Sequence, residues 1–385
     1  MKTHPITAEL VRGAVELEAT AHGLQPHRLP ARARAQANDG QIAMAESQPS
    51  GVRLVFRTRA TVIELDTLRT TMAYAGAPPR PDGLYDLVVD GEPAGQASGT
   101  GGNVLLIDMA TGSVENRTGE VGTVRFDGLP DREKEVVIWL PHNEITQLVA
   151  LRTDAPVEPA ADPGRRTWVH HGSSISQGSD AASPSTTWPA LASTQGGVEL
   201  TNLGFGGSAL LDPFTARALR DAPADLISVK IGINIVNLDV MRLRAFGPAV
   251  HGFLDTIREG HPTTPLLVVS PILCPIHEDT PGPSLPDFEH FADGQLRFRA
   301  AGDSSGLDLG QLTLKVIRDE LARIVAERAA DDPHLHYLDG RELYGEPDAA
   351  ELPLPDQLHP DAATHRLIGE RFAALVFGDG GAFAG

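Results

Sequence analysis

The chain has one cysteine, Cys274, so no intrachain disulfide can form and a disulfide-framed secreted scaffold is excluded. Aromatic residues make up only 5% of the sequence, too few for the stacking platforms of single-strand nucleic-acid binders. Basic residues are also scarce: 32 Lys and Arg against 51 Asp and Glu leave a formal charge of -19. That charge repels phosphate backbones and anionic lipid headgroups, so neither nucleic acid nor a membrane surface is expected as a partner. Long apolar runs are missing too. The longest, such as Leu266 to Ile272, are strand-sized rather than membrane-spanning. Near the start, Arg12, Glu16 and Glu18 interrupt the apolar run that a signal peptide needs, and a cytoplasmic protein is expected.

With 41% hydrophobic and 22% charged residues, the composition is that of a globular chain. Its 385 residues are long for one core, given roughly 100–200 residues per domain. Thr7 and Gly23 bracket apolar residues at helical spacing (Leu10, Val11, Ala14, Val15, Leu17), which predicts a short N-terminal helix. Short β-type runs follow from Val52 to Arg152, with Asp90-Gly91 as a hairpin signal between two of them, and together they predict a β-sandwich or jelly roll. Pro156, Pro159 and Pro163 lie in a small, acidic stretch of linker composition, which predicts one domain over 1–160 and a second over 161–385. In the second, strand-like runs at Trp168–His171, Glu199–Leu203, Leu226–Ile231, Leu266–Ile272 and His336–Leu338 alternate with helical patterns. That rhythm predicts a parallel sheet covered by helices on both faces.

In such sheets, reactive groups collect outside the carboxyl ends of the strands. The residues there are Gly172-Ser173-Ser174, Gly204-Phe205-Gly206-Gly207, Gly232-Ile233-Asn234 and, before the last helical pattern, Asp356-Gln357-Leu358-His359. Singly, each has a plain structural reading. Ser174 suits a helix cap, Gly207 a turn, Asn234 a cap or Asx turn, and His359, just before Pro360, the start of a helix. Together they supply what acyl transfer needs. A serine hydroxyl is a weak nucleophile until a base accepts its proton, and His359 is the candidate base. Asp356 would hold that imidazole in the productive tautomer. The backbone N–H groups of Ser174 and Gly207 and the amide of Asn234 are candidate oxyanion donors.

These four blocks resemble those of the SGNH/GDSL hydrolases, which carry Ser, Gly, Asn and His in that order. The resemblance covers roughly Trp168 to Phe377 and implies a flavodoxin-like α/β/α domain, with the nucleophile at Ser174, oxyanion donors at Ser174, Gly207 and Asn234, and the triad completed by Asp356 and His359. Two departures stand out. Ser173 replaces the aspartate that precedes the family's nucleophile, and Ile235 replaces the one that follows its asparagine. The N-terminal part is similar to the jelly-roll module fused to certain carbohydrate esterases of the family. The resemblance implies a metal-independent, cofactor-free serine esterase acting on a small-molecule ester or an acylated carbohydrate. An acyltransferase using the same triad and an inactive carbohydrate-binding protein remain as alternatives.

Other polar clusters carry less. His277-Glu278-Asp279 lacks the second histidine of a metalloprotease helix and reads as loop polarity. His170 and His171 read as strand residues, one facing in and one out. The segment Cys274 to Gln311 is long for an α/β connection and leaves the sheet at the edge that bears Ser174. It is expected to cover the site, with Phe288, Phe291 and Phe298 as apolar lining.

Overall fold

The computed structural model describes residues 1–37, 39–76, 81–108, 111–287 and 297–385. It divides into two compact units: residues 1–30, 44–165 and 183–185 form one, and residues 31–43, 166–182 and 186–385 the other. Among the described residues, no helix is long and apolar enough to cross a membrane.

The first unit is built from two sheets. One follows the order Ser113–Arg117, Asn103–Asp108, Ile63–Tyr74, Ile145–Thr153, Leu24–His27, Glu16–Ala19, and the other Val157–Pro159, Arg53–Thr58, Lys134–Trp139, Leu84–Val89, Glu92–Ser98. Strand side chains alternate between faces, so every second residue points inward. Leu54 and Phe56, Val136 and Ile138, and Tyr85 and Leu87 meet Ile63, Leu65, Leu148 and Leu151 from the other sheet in one buried cluster. The hairpin signal is realised: Asp90 (φ 50°) and Gly91 (φ 86°) turn Leu84–Val89 back onto Glu92–Ser98, and two successive left-handed residues give the twist a two-residue hairpin favours.

The N-terminal helix expected from Thr7 to Gly23 is not formed. A single 3-10 turn, Ala8–Leu10, leads into the strands Val11–Arg12, Glu16–Ala19 and Leu24–His27. Val11 and Arg12 pair with Leu54 and Arg53, Leu10 is buried, and Gly13 (φ 82°) breaks the chain direction between the first two strands. Pairing with the sheet outweighs the helical spacing. Helix appears later instead, at Ala31–Arg34 and Gly40–Ser47.

The second unit holds a parallel sheet in the order Glu199–Gly204, Thr167–Gly172, Leu226–Lys230, Leu266–Val269, Leu335–Leu338. Numbered along the chain this is 2-1-3-4-5, the flavodoxin-like arrangement. Leu226–Lys230 and Leu266–Val269 are buried at every position, because helices cover both faces. For the same reason both His170 and His171 are buried, and the expectation that one faces out is overturned. The helix Leu314–Arg328 shows how its sequence selects its place. Thr313 caps it by accepting a hydrogen bond from the Val316 N–H, and Leu314, Ile317, Leu321, Ile324 and Val325 recur on its buried stripe. Trp168 stacks on Phe372 with ring centroids 5.1 Å apart, which ties the first strand to the last α-helix, Ala362–Phe372.

Candidate active site

The order of the strands reverses on either side of Thr167–Gly172, and the crevice at such a switch point is where ligands bind. Ser174 opens the short helix Ser174–Gln177 immediately after that strand, and Ser173 rather than Ser174 occupies the cap position. The helix lies hard against the strand ends. A side chain on Gly204 would stand 2.5 Å from the Gln177 nitrogen, so the neighbouring strand approaches only because that residue is glycine. Ser173 is buried, and its hydroxyl finds no hydrogen-bond partner among the described residues. A carboxylate in its place would be a buried charge.

Ser174 Oγ lies 3.0 Å from His359 Nε2, and His359 Nδ1 lies 2.6 Å from Asp356 Oδ2. Asp356 uses its other oxygen to accept the backbone N–H groups of Leu358 (2.8 Å) and His359 (2.6 Å), a tight Asx turn that carries Gln357 into left-handed backbone at φ 71°. One carboxylate therefore shapes the loop and also orients the ring. Since Nδ1 faces a carboxylate it carries the proton, leaving Nε2 to accept from the Ser174 hydroxyl. Burial alone would raise the Asp356 carboxyl, but the hydrogen bonds from His359 outweigh it and hold the group below the ordinary carboxylate range. His359 does not serve as the cap of the following helix. Asp361 takes that position, accepting from the Thr364 N–H at 2.9 Å.

The glycine loop after Glu199–Gly204 sits beside the serine: a side chain on Gly206 would stand 3.6 Å from Ser174 Cβ. Two amides knit this loop and the strand before it to the helix Ser174–Gln177. Asn202 Nδ2 donates to the Ser176 carbonyl (2.8 Å), and Gln177 Oε1 accepts from the Gly206 N–H (2.7 Å). Gly207 has φ 70°, which favours glycine. Asn234 is buried in the short helix Ile233–Asn237, where its Oδ1 accepts from the Ala209 N–H at 3.1 Å. That bond fixes which end of the amide is oxygen, so the NH₂ end remains as donor.

Sequence reasoning missed several groups. Asp180 offers a second carboxylate: its oxygen and the ligand atoms of Asp356 and His359 lie within 4.8 Å of one another. These are the residues that could group around a metal, but Asp356 and His359 use their polar atoms on each other and on Ser174. The signal for Asp180 was only its position six residues beyond Ser174. His365 joins the loops on either side, with Nε2 2.9 Å from the Ser179 carbonyl and Nδ1 accepting from the Trp188 N–H at 3.3 Å. Burial drives it down to a pKa of about 4, so it is neutral near pH 7. Cys274 is no nucleophile, since burial pushes its thiol up to about 12. His277 and Glu278, read above as loop polarity, are fasteners instead: His277 is buried against Ser284 Oγ at 2.6 Å, and Glu278 forms an ion pair with Arg318. In the long segment after Leu266–Val269, the strand Phe298–Ala300 reaches the site. The Phe298 N–H donates to the Asp356 carbonyl at 2.8 Å, and its ring stands edge-on to His359 with centroids 6.0 Å apart. Phe288 and Phe291 lie outside the described residues.

The chain is similar to known proteins in sequence pattern and in fold. Residues 10–150 match the model of the SsfX3 N-terminal domain. Among solved structures, the chain is similar to a salicylyl-acyltransferase, SsfX3, from a tetracycline biosynthetic pathway, with 28% identity and a TM-score of 0.78 over 96% of this chain and 95% of that one. A putative GDSL-like lipase from Bacteroides ovatus shares the fold at 18% identity and a TM-score of 0.65, covering 94% of this chain and 93% of its own. A family two carbohydrate esterase from Clostridium thermocellum shares it at 14% identity and 0.57, covering 86% and 92%. No curated protein matches the chain. Residues 171–367, just over half of the sequence, from the end of the strand Thr167–Gly172 into the last α-helix, match the model of the GDSL-like lipase/acylhydrolase family, and the chain therefore belongs to that family of ester hydrolases.

Proposed function

We propose that the protein cleaves small or carbohydrate-borne O-acyl esters through an acyl-enzyme intermediate on Ser174. The observation that carries this reading is the unbroken relay from Ser174 Oγ to His359 Nε2 at 3.0 Å and from Nδ1 to Asp356 at 2.6 Å, beside the glycine loop at the carboxyl edge of the sheet. Ser174 Oγ attacks the acyl carbonyl while His359 Nε2 takes its proton, and the Asp356 carboxylate stabilises the imidazolium. The carbonyl oxygen becomes an oxyanion, met by the N–H groups of Ser174 and Gly207 and by the Asn234 amide. Collapse expels the alcohol, which receives the proton from His359. Water then repeats the sequence on the acyl-enzyme and releases the acid. No step in this scheme requires a metal or cofactor.

A fluorophosphonate probe tests the reading. Peptide mapping is expected to find the adduct on Ser174, with none formed in Ser174→Ala, and an adduct on another serine would overturn the assignment. Acyl transfer to an acceptor alcohol is the second reading, favoured by the near full-length likeness to the salicylyl-acyltransferase. It differs only in what resolves the acyl-enzyme. Turnover of an ester panel with and without added alcohols separates the two: hydrolysis yields the free acid regardless of acceptor, whereas a transferase accumulates the new ester.

A further inference from the structure

The oxyanion donor at Gly207 belongs to the same peptide plane as the Gly206 carbonyl, and in a trans peptide the C=O and the N–H point in opposite directions. Whatever grips the Gly206 oxygen therefore aims the Gly207 N–H. That oxygen is held by Gln41, whose Nε2 donates to it at 2.9 Å, with Ser208 Oγ more distant at 3.4 Å. Gln41 also packs on the next residue: a side chain on Gly207 would stand 3.2 Å from Gln41 Cγ and 3.3 Å from Nε2. Gln41 lies in the segment 31–43, far from the catalytic blocks in sequence yet part of the same compact unit as the parallel sheet. The segment is fastened there. Arg32 pairs with Asp221 at 3.2 Å, Gln36 accepts from Arg217, and the Gln41 N–H is held by Asp39 Oδ1 at 2.9 Å.

We propose that Gln41 is a positioning residue for the oxyanion hole, fixing and polarising the Gly206–Gly207 peptide so that the Gly207 N–H meets the developing negative charge. The two faces of the loop are then gripped by separate amides, Gln177 on the Gly206 N–H and Gln41 on the Gly206 carbonyl. Only the second acts on the peptide that carries the donor. A hydrogen bond to a peptide oxygen also strengthens the N–H of the same amide as a donor, because chains of hydrogen bonds polarise one another. Gln41 lies outside the residues matched by the hydrolase family model, so nothing in that pattern assigns it a role.

The inference rests on the acyl-enzyme reading above, and its test separates the two. Gln41 is exposed, so substitution there leaves the fold intact. Gln41→Met removes the donor while keeping the length, and Gln41→Glu keeps the shape but presents an acceptor to the carbonyl. Loss of a whole oxyanion donor costs about 10²–10³ in kcat, and loss of the group that aims one is expected to cost about tenfold. Both variants should show that fall with KM within about twofold and an unchanged pH profile, since the acid–base pair is untouched. Retention of wild-type kcat in either variant, while fluorophosphonate still labels Ser174, would overturn the role of Gln41 and leave the acyl-enzyme reading standing. Failure of wild-type protein to label at Ser174 would remove the acyl-enzyme reading itself.

Discussion

The two sides of the proposed site are built in different ways. The acid–base side is local: Asp356 and His359 are three residues apart, and one carboxylate both folds the loop and orients the ring. The proposed oxyanion side is assembled from three strand ends, with Gly207 and Asn234 held by amides and carbonyls from elsewhere in the chain. A self-contained loop should fail all at once when its keystone is lost. An assembled one should fail by degrees, one donor or support at a time.

The largest effect is therefore expected at Asp356. In Asp356→Asn the ring loses the acceptor that holds the proton on Nδ1, and Nε2 becomes protonated and useless as a base. A fall of about 10⁴ in kcat is expected from that tautomer change. Steady-state kinetics with an activated ester would measure it, and a loss under tenfold would show that the ring is oriented by something other than the carboxylate. On the other side, Asn234→Ala removes one of several donors and is expected to lower kcat by about 10²–10³ with little change in KM. If it proved as damaging as Asp356→Asn, the graded character assigned to the oxyanion side would be wrong.

A third test uses acid. His365 ties the helix Ala362–Phe372 to the Ser179 carbonyl and to the Trp188 N–H, and it does so as a neutral ring. Its folded pKa of about 4 lies below the ordinary value of 6.5. Between those values the unfolded chain binds a proton that the folded chain refuses, so stability is complete above pH 6.5 and falls as the pH drops toward 4. The shift corresponds to about 3 kcal/mol at most. Thermal melts between pH 7 and 4.5 should show a steeper loss in wild type than in His365→Gln, which lacks the titrating ring. Parallel slopes would mean that His365 is not the acid-sensitive tie.

This contrast also explains what could be read from the sequence. The Asp-x-x-His spacing was legible because turn, acid and base lie within four consecutive residues. Ser174, Gly207 and Asn234 stood out as candidates because each follows a strand whose apolar run marks its end. The supports were not. Nothing about Gln177, Asn202 or Gln41 marks them as pins on a distant peptide, since an amide side chain suits most surfaces and its partner is set by tertiary approach. The same holds for Asp180, brought to the triad by a loop whose path the sequence does not encode locally. The missed strands at Val11–Arg12 and Glu16–Ala19 are a parallel case in the first unit: helical spacing is a local signal, and pairing with Arg53–Thr58 and Leu24–His27 overrode it. The hairpin at Asp90 and Gly91 was foreseen because that turn is decided by the two residues themselves.

The smallest expected effect concerns the one aromatic ring described beside the triad. Phe298 is bound to the acid–base side by its backbone N–H, which donates to the Asp356 carbonyl, while its ring stands edge-on to His359. Phe298→Ala keeps the backbone bond and deletes only the ring, so the relay through His359 should survive and Ser174 should still react with a small phosphonate. Lost with the ring are an aromatic contact of about 0.5–1.5 kcal/mol and apolar surface against which an acyl chain can lie. The expected result is a fall of roughly two- to tenfold in kcat/KM for an octanoyl ester relative to an acetyl ester. An unchanged ratio would show that the strand Phe298–Ala300 only braces the triad loop and that acyl preference is set elsewhere. An equal fall for both esters would instead make the ring part of the acid–base side, whose self-contained character would then extend beyond the four residues from Asp356 to His359.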